Sequence, residues 1–191
     1  MWNLLVKEMP YEWKFLEIGV FKGQTVNLVS LLNEFHHKKG LVYGITPLDN
    51  TGKPGEHPVD DYEYRIGQIY QRFGLDMSDL MIIEGLSTNP AVVETANELG
   101  PYDILYIDGG HDYETVLSDL QKYTPMVKPH GYVVVDDASC DLNIPDGLIR
   151  MDWKGIPEVC EAVNSFFPFT SAGRFEHLFA VGHNRVWRKY D

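Results

Sequence analysis

Apolar runs and helically spaced apolar positions alternate along most of this chain. "FLEIGV" at 15–20 is a short apolar run ending in a glycine turn, and between Gln24 and Phe35 the residues Val26, Leu28, Val29, Leu32 and Phe35 recur at helical spacing. "GLVYGI" at 40–45 predicts a second strand. A polar, Pro/Gly-rich stretch, "TPLDNTGKPGEHPVDD", leads into a helix through Tyr62, Ile66, Ile69 and Phe73. "LMIIEG" at 80–85 predicts a third strand, followed by a helix over about 89–99 carrying Val92, Val93 and Ala96. "DILYIDG" at 103–109 predicts a fourth. Its helix sets Val116, Leu117, Leu120, Tyr123 and Val127 on one face and stops near Pro129-His130-Gly131. "YVVVDDA" at 132–138 is the fifth strand.

Continuous apolar strands alternating with helices imply a parallel sheet covered on both faces. The end of the chain breaks that rhythm. After a helix over about 157–167, "FEHLFAVG" and "RVWRK" flank His183-Asn184 with no room for a crossover helix, so these two strands pair antiparallel. The expected fold is α/β and Rossmann-like, a mostly parallel seven-stranded sheet closed by a C-terminal antiparallel hairpin. It forms a single domain over 1–191, with no internal repeat and no linker.

Composition narrows the function. The 191 residues are 44% hydrophobic, ordinary for a globular domain that can bury its own core. A formal net charge of −12, from 28 acidic and 16 basic residues, argues against nucleic acid as a partner, and no basic patch is visible in the sequence. No run is long enough to span a membrane, and "MWNLLVKEMPYEW" does not read as a signal peptide, so no membrane partner is expected. Two cysteines, Cys140 and Cys160, give neither a disulfide framework nor a CxxC pair; a reducing, cytoplasmic setting is the expectation.

In an open α/β sheet, ligands bind outside the carboxyl ends of the strands. That edge holds Glu17-Ile18-Gly19 with Lys22-Gly23, then Thr46 and Asp49, then Gly85-Leu86-Ser87, then 108–112, and finally Asp136-Asp137. "EIGVFKG" is a glycine turn opening a helix whose N-terminus offers unpaired N–H groups to a polar ligand. It matches neither GxGxxG nor GxxxxGK[ST], and it is also compatible with a plain packing turn. Glu17 at the end of a buried strand is costly unless paired or used. Asp49, one turn beyond Thr46, is either a reader of a ribose or part of a surface loop.

Asp136 and Asp137 end an all-valine strand, where adjacent carboxylates repel unless water, hydrogen bonds or a cation compensates. With Asp108 they make an oxygen-rich set suited to Mg²⁺. His111, three residues beyond Asp108, is placed to act as a general base, as a further metal ligand, or as a structural cap. Asp112 reads as a helix N-cap. The remaining histidines show no ligand spacing.

"FLEIGVFKGQTV", "DILYIDGGHDYETVLSDL" and "GYVVVDDAS" together resemble the class I S-adenosylmethionine-dependent methyltransferases. Within them the chain looks closest to the metal-dependent small-molecule O-methyltransferases, such as the macrocin and mycinamicin sugar methyltransferases and the cephalosporin hydroxylase-like group. The resemblance implies a methyl donor, S-adenosyl-L-methionine, whose methionine part lies along 17–23, with Glu17, Gly19, Lys22 and Gly23 near it. It implies Ser87 beside the adenine, and Asp108, Asp136 and Asp137 as ligands of Mg²⁺ or another divalent cation. Asp108 belongs to the donor set as well, and His111 matches the proposed base. The acid expected after strand two has no direct match, since Thr46 stands there, which leaves Asp49 for the ribose.

The function so implied is metal-assisted O-methylation of a small-molecule hydroxyl, on a sugar, polyol or catechol-like acceptor. A metal-assisted hydrolase or hydroxylase-like enzyme on the same fold is the alternative. Little chain precedes strand one, so cover for the acceptor is expected from 46–61, from 139–155, or from a partner subunit in a homo-oligomer. The second of these segments offers Asp141, Asn143, Arg150 and Trp153. Trp153 either stacks on an acceptor ring or packs on its own loop.

Overall fold

The computed structural model describes residues 1–48, 62–142, 153–168 and 173–191. Two compact units divide the chain, Met1–Leu99 and Gly100–Asp191.

The first unit runs α1 (Trp2–Glu8), β1 (Glu12–Ile18), α2 (Gln24–Phe35), β2 (Lys39–Thr46), α3 (Tyr62–Phe73), β3 (Leu80–Glu84) and α4 (Pro90–Leu99). Its strands lie in the order β3-β2-β1, all parallel. The registers Ile18↔Ile45 and Thr46↔Glu84 bring the three carboxyl ends to one edge. Helix α1 is an addition to the pattern read from the sequence.

Helix α2 departs from its apolar spacing. Leu28 and Phe35 are exposed, Phe35 to 72%, while Asn27, Ser30 and Asn33 are buried beside Val26 and Val29. The polar side chains go inward because partners wait there. The indole N–H of Trp13 donates to Asn33 Oδ1 at 2.8 Å, and Asn33 Nδ2 donates to the Gly40 carbonyl at 3.1 Å. The Ser30 hydroxyl donates to the Val26 carbonyl and shares a hydrogen bond with the Tyr70 hydroxyl of α3. A buried polar group costs little once its hydrogen bonds are made.

The second unit runs β4 (Tyr102–Ile107), α5 (Tyr113–Tyr123), a 3₁₀ turn (Thr124–Met126), β5 (Val127–Val135), α6 (Pro157–Phe166), β6 (Phe175–Val181) and β7 (Asn184–Lys189). β4 pairs parallel with β5, and β5, β7 and β6 pair antiparallel in that order. The C-terminal hairpin is therefore as expected. Every residue of β4 is buried, and Phe167 stacks on Trp187 with ring centroids 4.1 Å apart. Helix α5 ends earlier than its apolar spacing suggests: Thr124-Pro125 turns the chain, and Val127 opens β5 instead of extending the helix. Asp112 caps α5, accepting from the Thr115 N–H at 3.0 Å, a bond that holds its carboxyl below the usual range.

Cys140 and Cys160 are joined as a disulfide, with Cα atoms 6.4 Å apart, a pairing their spacing did not suggest. An isolated bridge between Ala138 and Gly155 folds the segment after β5 back against the start of α6 and brings the two cysteines together.

Candidate functional site

In the first unit the glycine turn after β1 is fixed by backbone. The N–H groups of Gly19 and Val20 both donate to the Ile45 carbonyl of β2, at 3.0 and 3.2 Å. Gly23 is the N-cap of α2 with φ +81°, and a Cβ there would lie 2.4 Å from Ile66 Cγ1. Only glycine fits both the dihedral and the space. Glu17 is 3% exposed, at the end of β1. Asn27, one turn into α2 and equally buried, has neither amide oxygen nor amide nitrogen in a hydrogen bond to any of the described residues. A buried amide with unmade bonds beside a glycine turn is what a polar ligand would complete, so these residues fit a donor's polar end. Asn27 escaped the sequence reading because it sits among the apolar positions of an amphipathic pattern.

Thr46 is buried, and its hydroxyl accepts from the Leu48 N–H at 3.2 Å while its carbonyl accepts from the Gly85 N–H at 2.9 Å. Its side chain thus closes the turn after β2. Ser87 lies half-buried in the turn after β3. Asp49 lies outside the described residues, as do Asn143 and Arg150. Lys22, Arg65 and Arg72 line a cavity of about 620 Å³ with Gln24, Gln68, Ile69 and Gln71. This cluster of positive charge is invisible in the sequence because its members come from two separate elements.

In the second unit the carboxylates converge. The registers Ile107↔Val135 and Val135↔Arg185 align the ends of β4 and β5 with the start of β7. Asp108, Asp136, Asp137 and the β6–β7 turn therefore share one edge. His111 Nε2 lies 3.8 Å from Asp108 Oδ1 and 3.9 Å from Asp137 Oδ2. The Tyr106 hydroxyl donates to Asp108 Oδ2 at 3.1 Å. Burial raises the Asp136 carboxyl to about 6; the Asp108 carboxylate adds to the rise, His183 opposes it, and Asp137 adds again. Of the four residues singled out from sequence, Asp136 and Asp137 adjoin, and His111 lies between Asp137 and Asp108; among the described residues Asp108 is not in the set of ligand atoms that lie within 4.8 Å of one another.

Asp137 is held in an unusual backbone conformation, with φ +51°. The segment 153–156 keeps it there. The Ile156 N–H donates to the Asp137 carbonyl at 2.9 Å, and the indole N–H of Trp153 donates to Asp137 Oδ1, also at 2.9 Å. Trp153 thus has a third role, orienting a carboxylate. Strained, over-determined residues of this kind gather at functional sites.

His183, like Asn27, is a residue the sequence reading missed. Its Nδ1 lies 2.7 Å from Asp136 Oδ1 and 3.1 Å from Asp137 Oδ1. Asp136, Asp137 and His183 each present a ligand atom within 4.8 Å of the others. The set is chemically suited to a divalent cation: hard oxygens, one imidazole nitrogen, and a carboxyl whose ionisation is costly without a positive partner.

A family model described as a methyltransferase domain matches residues 16–138. The chain belongs to this family. The methyltransferase domain is 28% identical over 162 residues to an uncharacterized protein of Acanthamoeba polyphaga mimivirus, a match covering 84% of this chain and 62% of that protein, so the chain spans about three-fifths of its relative's length. Among solved structures, the O-methyltransferase NovP superposes with a TM-score of 0.69 at 18% identity, over 100% of this chain and 78% of that one. CalS11, a TDP-rhamnose 3'-O-methyltransferase of calicheamicin biosynthesis, gives 0.66 at 16%, over 100% and 76%. MycE of mycinamycin biosynthesis, solved with Mg and SAH, gives 0.56 at 17%, over 93% and 45%. These likenesses establish the Rossmann-like methyltransferase fold. Among the described residues, no helix is long and apolar enough to cross a membrane.

Proposed function

We propose that the domain transfers a methyl group from S-adenosyl-L-methionine to a hydroxyl of a small molecule, with a divalent cation held by Asp108, Asp136 and Asp137. The observation that carries this reading is the meeting of Asp136 and Asp137 at one strand edge, with His111 between Asp137 and Asp108. The Mg in the MycE structure supports it by analogy of fold.

When bound, the donor supplies a methyl group already activated by its sulfonium charge, and the cation supplies positive charge that makes an acceptor hydroxyl a stronger acid. His111 takes the hydroxyl proton. The donor, held at the glycine turn after β1, would supply its methyl group to that oxygen, its sulfur would keep the bonding pair, and S-adenosylhomocysteine would be left. Asp108 and Asp137 flank the imidazole, 3.8 and 3.9 Å from Nε2, and orient it. Trp153 and the Ile156 N–H hold Asp137 in place for that role. Glu17, Gly19, Lys22 and Gly23, with Asn27, are the donor-binding residues of this proposal; Thr46 shapes the neighbouring turn, and Ser87 serves the adenine.

The acceptor is a sugar, polyol or catechol-like molecule in this reading, consistent with a net charge of −12. A homo-oligomer is part of the same proposal, and so is a cytoplasmic setting, where Cys140 and Cys160 would stand as reduced thiols. The test is calorimetry of S-adenosylhomocysteine binding, with and without Mg²⁺, followed by methyl transfer to an acceptor panel. No binding at millimolar ligand would sink the donor assignment. Asp108→Asn is expected to remove cation-dependent turnover while donor affinity changes little, and a fully active variant would rule out the metal role.

A further inference from the structure

Carboxylates alone would make this centre a hard-cation site, but the fold adds a nitrogen. Because β7 runs antiparallel to β5, the β6–β7 turn returns to the end of β5 at which Asp136 and Asp137 sit. The Ala138 N–H donates to the His183 carbonyl at 2.8 Å and pins the turn there. The imidazole is thus delivered by backbone pairing on both sides.

The contact between His183 and Asp136 has an informative geometry. Nδ1 and Oδ1 are 2.7 Å apart, yet the pair is not aligned for a hydrogen bond and neither atom makes one to any of the described residues. Two potential ligand atoms side by side without an aligned proton between them resemble neighbouring positions on a metal. For bonds of roughly 2.1 Å, adjacent ligands of an octahedral ion are about 3 Å apart, and the two His183–carboxylate separations of 2.7 and 3.1 Å bracket that value.

We infer that His183 is a nitrogen ligand of the proposed cation site and tilts it from Mg²⁺ toward Mn²⁺, Fe²⁺ or Co²⁺. The reason is chemical: imidazole adds little for Mg²⁺, which prefers oxygen, but favours first-row transition ions. This rests on the cation site proposed above, and deepens it.

Mn²⁺ binding to the full chain, followed by electron paramagnetic resonance, tests the inference without turnover. Spin-echo modulation from a histidine nitrogen is expected in the wild type, changed by ¹⁵N-histidine labelling, kept in His111→Gln and lost in His183→Gln. His183→Gln is also expected to weaken Mn²⁺ binding about tenfold or more, with a much smaller effect on Mg²⁺. Nitrogen modulation that persists in His183→Gln, or is absent from the labelled wild type bound to Mn²⁺, overturns the His183 assignment and leaves the carboxylate site standing. A wild type that binds no divalent cation overturns the metal reading itself. The labelled wild type shows whether a histidine nitrogen binds the ion even where a variant fails to fold.

Discussion

Asp136→Asn should stabilise the cation-free protein while abolishing its cation binding. The asparagine keeps the shape of the side chain and removes its charge. In the folded chain the carboxyl titrates near about 6 in place of 3.8, chiefly from burial and then from Asp108. Between those two values the folded state holds the proton more tightly than the unfolded state does. Ionised Asp136 therefore costs stability above about pH 6, and the cost fades as pH falls toward 3.8. At about 1.4 kcal/mol per tenfold, the ceiling is roughly 3 kcal/mol, with the pull of His183 already contained in the shift, and about 1–3 kcal/mol is the expected gain after solvent screening. For a chain of this size that is a rise in Tm of roughly 2–10 °C. The assay is thermal unfolding of both proteins in EDTA at pH 8 and pH 5, then at pH 8 with saturating Mn²⁺. The variant should lead clearly at pH 8 and less at pH 5. With cation at a thousand times Kd the order should reverse, because only the wild type gains binding energy, about 4.1 kcal/mol. A variant no more stable than wild type at pH 8 in EDTA, or a gap that does not shrink on acidification, would refute the reasoning.

Three further outcomes follow from the same geometry. Trp153→Phe keeps the ring but removes the N–H that orients Asp137; cation affinity, read by Mn²⁺ titration, should weaken by about tenfold with the fold intact by circular dichroism. Gly155 has φ +125°, and a Cβ there would lie 2.1 Å from the Asp137 carbonyl oxygen. Gly155→Ala should therefore cost about 1–3 kcal/mol in urea unfolding and lower cation affinity as well. Gly23→Ala should abolish S-adenosylhomocysteine binding by calorimetry while cation binding persists, since its Cβ would strike Ile66.

The fold was legible because its signals are local and repeated. Apolar runs at 40–45, 80–85, 103–109 and 132–138 correspond to β2 to β5, and the closely spaced final runs to β6 and β7. Side-chain placement within elements was less legible where polar groups found buried partners. The apolar positions of α2 mark a helix, but Asn33 turns inward to Trp13 and Gly40, and Phe35 turns out. Periodicity reports the element; long-range hydrogen bonds decide which of its residues lie inside.

The site divides along the same line. Asp108, His111, Asp136 and Asp137 were readable because each closely follows a strand, and the ends of parallel strands share an edge. His183 and Trp153 reach those carboxylates by routes that sequence spacing does not encode. Once the final hairpin is taken as antiparallel, one rule does recover His183: a strand antiparallel to β5 must begin where β5 ends, so its preceding turn lies at the carboxyl edge. Spacing searches look for ligands three or four residues apart, whereas 46 positions separate His183 from Asp137. No comparable rule yields Trp153, because its position depends on a single bridge between Ala138 and Gly155 and on the backbone of Asp137 at φ +51°. That strained turn has a functional reading: it aims Asp137 toward both His111 and His183, which an extended continuation of β5, with side chains alternating between faces, would not do for two adjacent aspartates.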